Sequence, residues 1–351
     1  MENSFYGVNV NRMLNIRGKR GCGVSIAIAR GDDAQTFCAG SGRLGKDFPV
    51  ESDMLFQAGS VSKPVFAATL LRFVDKGIID LDADLSGVIP DFADSPLTFS
   101  ALLSHTAGFN VHGFDGYPAK HAPLSLGDVL SGRGNSPRVC RTMPYGKQYS
   151  YSGGGVTLAE LAFTRITGMP LRDAFAREIA APLRLRRSGY FQPLDEDKIE
   201  NAAFGGLLGI REDRRNGYHY YPERAAAGLW TTPTELTRIG IALSRSFREG
   251  GLLEKRTAER MMNPVMGGCG LCIFRKEQMP DAASHGGWNE GFLTQWIFSL
   301  TKDLCVAAMI NRADRNTCKR FEDAASALFQ SADGSSAAPG HSGDSGPQGC
   351  R

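Results

Sequence analysis

Residues 59–77 have the sequence GSVSKPVFAATLLRFVDKG, which is typical of a buried helix. Pro64 suits the first turn of a helix and Gly77 the position just beyond its end. Apolar residues occur nearly all round the predicted helix, which covers residues 61–76, and this pattern indicates burial on every side. A helix of this kind, placed close to the start of the chain, is a core element of the fold.

Ser60 and Lys63 lie three residues apart at the start of this helix and therefore share a face. A serine is a weak nucleophile unless a base takes its proton. A helix start also offers free backbone N–H groups and a partial positive charge, which favour a developing anion. The Ser-x-x-Lys spacing is common, and a helix cap with a surface lysine is the alternative. A buried lysine, however, needs a partner or a purpose.

Two further stretches place a polar side chain beside glycines. The stretch YSYSGGG (149–155) puts Tyr151 ahead of a helical run, and SHGGWNEGF (284–292) puts His285 ahead of a strand. Glycines at such positions allow a tight turn or the close approach of a ligand. Taken separately, Tyr151 could be a core tyrosine, and His285 could be a surface histidine at a β-bulge.

In order and spacing, the three stretches together resemble the serine β-lactamase and penicillin-binding-protein family. The resemblance is to its class C-like branch of esterases, D-peptidases and transacylases. That family has Ser-x-x-Lys, then a Tyr-x-Asn-type loop, then Lys/His-x-Gly on a strand. Three other segments extend the resemblance over roughly residues 5–330, namely ALLSHTAGF (101–109), AAAGLWTTPTEL (225–236) and LTQWIFSLTKDLCVAAMINR (293–312).

The resemblance implies a role for each matching residue. Ser60 would be the acyl-accepting nucleophile, with Lys63 and Tyr151 sharing the role of general base. His285 would steady Tyr151 and the substrate. The backbone N–H groups of Ser60 and Trp288 would form the oxyanion hole. Further substrate contacts are expected from Gly153, Gly287 and Trp230.

Two positions depart from the family pattern. Gly153 replaces the asparagine whose amide typically contacts the substrate amide, which shifts the expected substrates toward esters. His285 stands where many members have lysine; an imidazole is mostly neutral at pH 7 and would act as a hydrogen-bond donor. His105 and His112 could suggest a triad with Ser60, but the resemblance implies that His105 is a buried structural residue.

Strand-like runs at both ends enclose a helical middle, which predicts an α/β (α+β) fold. We expect an antiparallel sheet flanked by helices, with an inserted, mostly helical sub-domain. The expected sandwich comprises residues 1–80 and 225–330, and the sub-domain residues 81–224. The tail 331–351 is rich in Gly and Ser and is expected to be disordered. The finer predictions are a helix within 4–17, a hairpin of Gly23–Ala29 with Gln35–Ala39, strands at 293–300 and 304–310, and a helix at 316–330.

The composition is that of a globular protein, with 351 residues, 42% hydrophobic residues and a net charge of +3. This charge is too small to indicate nucleic-acid binding, and no apolar run approaches the roughly 20 residues of a membrane span. The absence of a secretory pattern at the start predicts a cytoplasmic protein. The eight cysteines are expected to be mostly reduced. Cys269 and Cys272 have a C-x-x-C spacing, which supports zinc binding or redox chemistry only weakly.

The predicted function is that of a serine acyl hydrolase acting on a small-molecule ester, amide or lactam, with esters preferred. This chemistry needs neither a metal nor an organic cofactor. The alternatives are a β-lactamase or D-Ala-D-Ala carboxypeptidase, a biosynthetic transacylase, and a catalytically silent paralogue that binds a ligand.

Overall fold

The computed structural model describes residues 4–15, 21–92, 96–119, 124–205 and 217–334. The strands are β1 Val24–Arg30, β2 Asp33–Ala39, β3 Phe56–Gln57, β4 Tyr117–Pro118, β5 His219–Tyr220, β6 Trp230–Thr231, β7 Phe274–Lys276, β8 Met279–Asn289, β9 Phe292–Ser299 and β10 Leu304–Ile310. The helices are α1 Val10–Leu14, α2 Ser62–Asp75, α3 Phe99–Leu103, α4 Leu126–Leu130, α5 Gly153–Thr167, α6 Leu171–Phe175, α7 Glu196–Ile199, α8 Arg224–Ala227, α9 Pro233–Glu249, α10 Lys255–Met262 and α11 Arg315–Asp333.

The main sheet is six-stranded and antiparallel, with the order β2-β1-β10-β9-β8-β7. The predicted N-terminal hairpin is confirmed, because β1 pairs with β2 from Val24 opposite Ala39 to Arg30 opposite Asp33. β10 is an inner strand of the sheet and pairs with both β1 and β9. Strands from the N-terminal and C-terminal parts of the described chain therefore belong to one sheet, and the predicted fold class is confirmed.

The two faces of the sheet belong to different hydrophobic clusters. Along β10, Val306 and Ala308 pack with α11 and α1, whereas Ala307 and Met309 pack with the cluster that contains α2 and α9. This alternation is the period-two pattern of a strand that is buried on both sides. Helices consequently cover both faces, and the larger cluster contains α2.

The predicted helix at 61–76 is confirmed as α2, which a 3₁₀ turn, Gly59–Val61, precedes. Its buried residues lie on all sides of the helix and include Lys63. The larger cluster around α2 also takes in Leu103 of α3 and Phe163 of α5. It therefore crosses the expected boundary at residue 81, and the division into sub-domains stays a prediction.

Two elements differ from expectation. The N-terminal helix is shorter than residues 4–17, since α1 is limited to Val10–Leu14 and residues 16–20 lie outside the described part of the chain. α11 continues to Asp333, so the first residues of the expected tail are helical. The expected disorder of residues 335–351 concerns a segment outside the described residues. Within the described part of the chain, no helix is both long and apolar enough to cross a membrane.

Candidate active site

Ser60 lies in the turn before α2, and its side chain is half-buried. Two glycines allow β8 to pack directly on this turn. A Cβ atom at Gly287 would lie 2.0 Å from the carbonyl oxygen of Ala58, and one at Gly59 would lie 2.7 Å from the backbone nitrogen of Trp288. The backbone segments that the sequence predicts to form the oxyanion hole are therefore adjacent.

Lys63 contacts the Ser60 hydroxyl directly. Its Nζ atom donates to Ser60 Oγ at 2.9 Å and to the Ala226 carbonyl oxygen at 2.8 Å. The side chain is only 1% exposed. This burial is the main cause that lowers the pKa of Lys63 from 10.5 to about 7. With this pKa, the amine can be unprotonated near neutral pH and can then accept a proton from Ser60.

Tyr151 approaches the same hydroxyl from the segment before α5. Its phenol forms a hydrogen bond with Ser60, and Lys63 Nζ lies 5.1 Å from the centroid of its ring. Burial raises the pKa of Tyr151 well above its usual value of 10, so the side chain is a neutral phenol. Between the two groups expected to share the role of base, these shifts favour Lys63.

The rings of His105 and His112 both pack against Tyr151, with their centroids 4.4 and 4.7 Å from that of the Tyr151 ring. His105 is 2% exposed, and its Nδ1 atom accepts a hydrogen bond from the backbone of Ser152 at 3.2 Å. The expectation of a buried, hydrogen-bonded His105 is confirmed. This histidine supports the backbone that carries Tyr151.

His285 also lies near Tyr151, with the ring centroids 6.2 Å apart. Its Nδ1 atom is 2.5 Å from the Gly286 carbonyl oxygen, which can only accept, so Nδ1 carries the proton. Burial, followed by the charge of Lys63, lowers the pKa of His285 to about 3. The imidazole is therefore neutral. Its Nε2 atom, which has no hydrogen-bond partner among the described residues, is an acceptor rather than the expected donor.

The three residues expected to contact substrate differ in placement. Gly287 packs beside the turn of Ser60, and Gly153 begins α5 next to Tyr151. Trp230 is fully buried, with its ring edge-on to Tyr218 and Phe292. The expectation for Trp230 is therefore corrected, since its indole is part of the core.

The structure adds two features that the motifs did not indicate. Phe274 of β7 borders the cluster, with its ring centroid 5.3 Å from that of His285. α8 supplies the Ala226 carbonyl to Lys63, and its Ala227 carbonyl accepts from Asn289 at 3.0 Å. The burial of Lys63 could have indicated that a partner exists, but the residue that provides it follows only from the packing.

Cys269 and Cys272 are fully buried thiols. Their sulfur atoms donate to the carbonyl oxygens of Gly270 and Leu103 at 3.3 and 3.2 Å. Burial raises the pKa of Cys269 to about 12 and that of Cys272 well above its usual value. Protonated, hydrogen-bonded thiols of this kind are typical of structural cysteines.

The chain is also similar to known proteins. The family model described as Beta-lactamase matches residues 15–330. Esterase EstB of Burkholderia gladioli is 30% identical over 159 residues, which are 40% of this chain and 40% of that protein. The D-alanyl-D-alanine-carboxypeptidase/endopeptidase AmpH of Escherichia coli K12 is 22% identical over 335 residues, covering 87% of this chain and 83% of AmpH. The chain spans less than half the length of several of its curated relatives.

Among solved structures, the D-amino acid amidase of Ochrobactrum anthropi SV3 has the same fold. It superposes with a TM-score of 0.76 at 18% sequence identity, covering 93% of this chain and 98% of the amidase.

Proposed function

The chain belongs to the β-lactamase family, and from this premise we propose that it is a serine hydrolase that forms an acyl-enzyme on Ser60, with esters as preferred substrates. The observation that carries the proposal is the 2.9 Å contact between Lys63 Nζ and Ser60 Oγ. A buried amine with a pKa of about 7 is a base suited to neutral pH.

In the proposed reaction, unprotonated Lys63 takes the Ser60 proton while Oγ bonds to the carbonyl carbon of the substrate. The carbonyl electron pair moves to oxygen, toward the backbone N–H groups of Ser60 and Trp288. When the C=O bond re-forms, the leaving alkoxide receives the proton from Lys63 and departs as an alcohol. Water then attacks acyl-Ser60 by the same proton transfers and releases the acid.

Tyr151 and His285 would assist without carrying charge. The neutral Tyr151 phenol is hydrogen-bonded to Ser60 and can donate to an oxygen that becomes negative. The free Nε2 atom of His285 can accept from Tyr151 or from a substrate hydroxyl or amide. Both side chains are held by aromatic neighbours, so this arrangement is formed before substrate binds.

Two observations support esters over β-lactams and peptides. A Cβ atom at Gly153 would lie 3.0 Å from the His112 carbonyl oxygen and 3.1 Å from the Phe114 ring. The space for the asparagine side chain of the family pattern is therefore already filled. His285 is neutral and provides no cation for the carboxylate that β-lactams and peptide C-termini carry.

The test is covalent labelling of the purified protein with a fluorophosphonate, followed by intact-mass spectrometry. We expect one adduct on the wild type and on Ser52→Ala, a control at an exposed serine, and no adduct on Ser60→Ala. An unchanged adduct on Ser60→Ala would contradict the proposal, and no adduct on any variant would favour a silent ligand-binding protein.

The substrate preference is measured on the same preparation. We expect p-nitrophenyl esters to be hydrolysed with a higher kcat/KM than a chromogenic cephalosporin or a D-amino acid amide. The reverse order would replace esterase by β-lactamase or D-peptidase activity.

A further inference from the structure

Two buried glutamates flank α8, and the reaction described above uses neither. Glu160 of α5 is 2% exposed, and Glu223, the residue before α8, is 0% exposed. Burying a carboxyl group is costly unless it is paired, hydrogen-bonded or protonated. Their position next to the helix that contacts Lys63 therefore requires an explanation.

α8 links these carboxyls to the catalytic amine. The backbone N–H of Ala225 donates to Glu160 Oε2 at 2.7 Å. The next residue, Ala226, accepts from Lys63 Nζ through its carbonyl oxygen. Glu160 and Lys63 thus hold consecutive residues of one short helix, so a displacement of α8 moves the carbonyl that positions Lys63.

Glu223 holds the start of α8 through its backbone, and its carboxyl is unusual. Its main-chain oxygen accepts from Ala226 at 3.1 Å and from Ala227 at 3.0 Å. Neither side-chain oxygen has a hydrogen-bond partner among the described residues. Such a carboxyl is far less costly to bury as the neutral acid than as the anion.

The electrostatic surroundings of the two carboxyls also favour their protonated form. Burial raises the pKa of Glu160 to about 7, and burial together with the charge of Glu160 raises that of Glu223 to about 8. The other charged or titratable groups near the pair, or joined to it by α8, are Arg224, Lys63, Tyr117, Tyr190, Tyr220 and Tyr221. Burial keeps the four tyrosines neutral, and Arg224 only partly offsets the cost of ionising the glutamates.

We propose that Glu160 and Glu223 are positioning residues for Lys63. The two glutamates hold α8 in place while at least one of them is protonated, and α8 is released from this position when both carboxyls ionise. The consequence for catalysis rests on the proposed function, because it assumes that Lys63 activates Ser60. The consequence for stability does not.

The sign for stability follows from linkage. Both folded pKa values lie above the ordinary value of 4.5, so the folded protein binds these protons more tightly than the unfolded chain. The stabilisation is fully present below about pH 4.5. It is lost as pH rises through the folded values of about 7 and 8.

The experiment compares thermal unfolding at about pH 5 and about pH 8.5. The variants are Glu160→Gln, Glu223→Gln and the exposed control Glu249→Gln. We expect Tm to fall by several degrees more in the wild type and the control than in either buried-site variant. If both buried-site variants lose as much Tm as the control, the proposal is wrong. If Glu223→Gln does not fold, Glu160→Gln decides, because glutamine keeps an acceptor for Ala225.

The activity arm uses the pH dependence of kcat/KM. We expect an alkaline decrease above about pH 8 in the wild type and in Glu249→Gln, and a weaker decrease in the two buried-site variants. An identical alkaline limb in all four proteins would overturn the catalytic part of the proposal. If Ser60 takes no label at all, the proposed function fails, while the difference in Tm still tests the carboxyl pair.

Discussion

At Ser60, the three neighbouring side chains differ in the pH at which they gain or lose a proton. Lys63 has a pKa of about 7, Tyr151 has one well above 10 and His285 one of about 3. Burial is the leading cause in each case, because it disfavours whichever form carries charge. Among these three, Lys63 is the group that titrates near neutrality.

The pH–rate profile should show this titration. We expect kcat/KM for an ester to rise with pH with a midpoint near 7, because Lys63 must lose its proton to act as base. Lys63→Arg should lower kcat/KM by about 10²–10⁴-fold, since arginine does not deprotonate. Lys46→Arg, at an exposed position, is the control and should leave the profile unchanged. A rising limb that survives in Lys63→Arg would assign the titration to another group.

The residues of the site were predictable where the chemistry is local. Ser60 and Lys63 lie one helical turn apart, so their contact follows from helix geometry. The partner of Lys63 is Ala226, 163 residues away. The contact is made by a backbone carbonyl, which every residue has, so the pattern of side chains in the sequence does not indicate it. The wrong expectation for Trp230 has a related cause, because a tryptophan suits a core and a cleft equally well in sequence.

Among the elements, β8 departs most from expectation. The sequence pattern placed His285 ahead of a strand, but β8 spans Met279–Asn289 and includes this histidine and both following glycines. Glycines weaken a strand taken alone, yet here they pair with β9 and one of them lets the strand reach the turn before α2. In contrast, β10 matches the predicted range 304–310 because every one of its residues is buried.

The close packing of β8 on the turn that holds Ser60 can be tested with substitutions at two adjacent glycines. Gly287→Ala would place a methyl group 2.0 Å from a backbone oxygen, so the strand must move away. We expect a loss of about 1–3 kcal/mol in unfolding free energy and a decrease of at least about tenfold in kcat/KM. Gly286→Ala is the matched control, since its methyl group would meet the end of the Gln295 side chain at 3.2 Å. Equal activity losses in the two variants would show that the packing of β8 on this turn does not set the geometry of the site.

In the whole molecule, the sheet separates two hydrophobic clusters, which differ in whether they lie on the side of the candidate site. The cluster of α2 lies on the face that carries Ser60 and Lys63, and the cluster of α11 covers the opposite face. The order of hairpins and helices was predictable from periodicity and resemblance. The assignment of residues 81–224 to a separate sub-domain stays a prediction; in the structure, one hydrophobic cluster joins residues of this region to α2.

This separation predicts different effects of two equally buried leucines. Leu328→Ala in α11 and Leu70→Ala in α2, both at positions 0% exposed, should each cost about 2–5 kcal/mol of unfolding free energy. At a temperature where both variants are folded, Leu328→Ala should keep the wild-type kcat/KM. Leu70→Ala should lower kcat/KM, because Leu70 lies two helical turns beyond Lys63 on the same face. Urea unfolding and ester hydrolysis measure the two quantities, and equal activity in both variants would contradict the separation.

The contact between Lys63 and the Ala226 carbonyl also bears on how the chain acquires activity as it folds. α2 can form early from local contacts, but the amine reaches its final position only after a segment 163 residues later has docked. A partly folded molecule can therefore contain most of its helices and still hydrolyse nothing. If Ser60 acts as proposed, we expect ester turnover during refolding to appear later than the helical signal in far-ultraviolet circular dichroism.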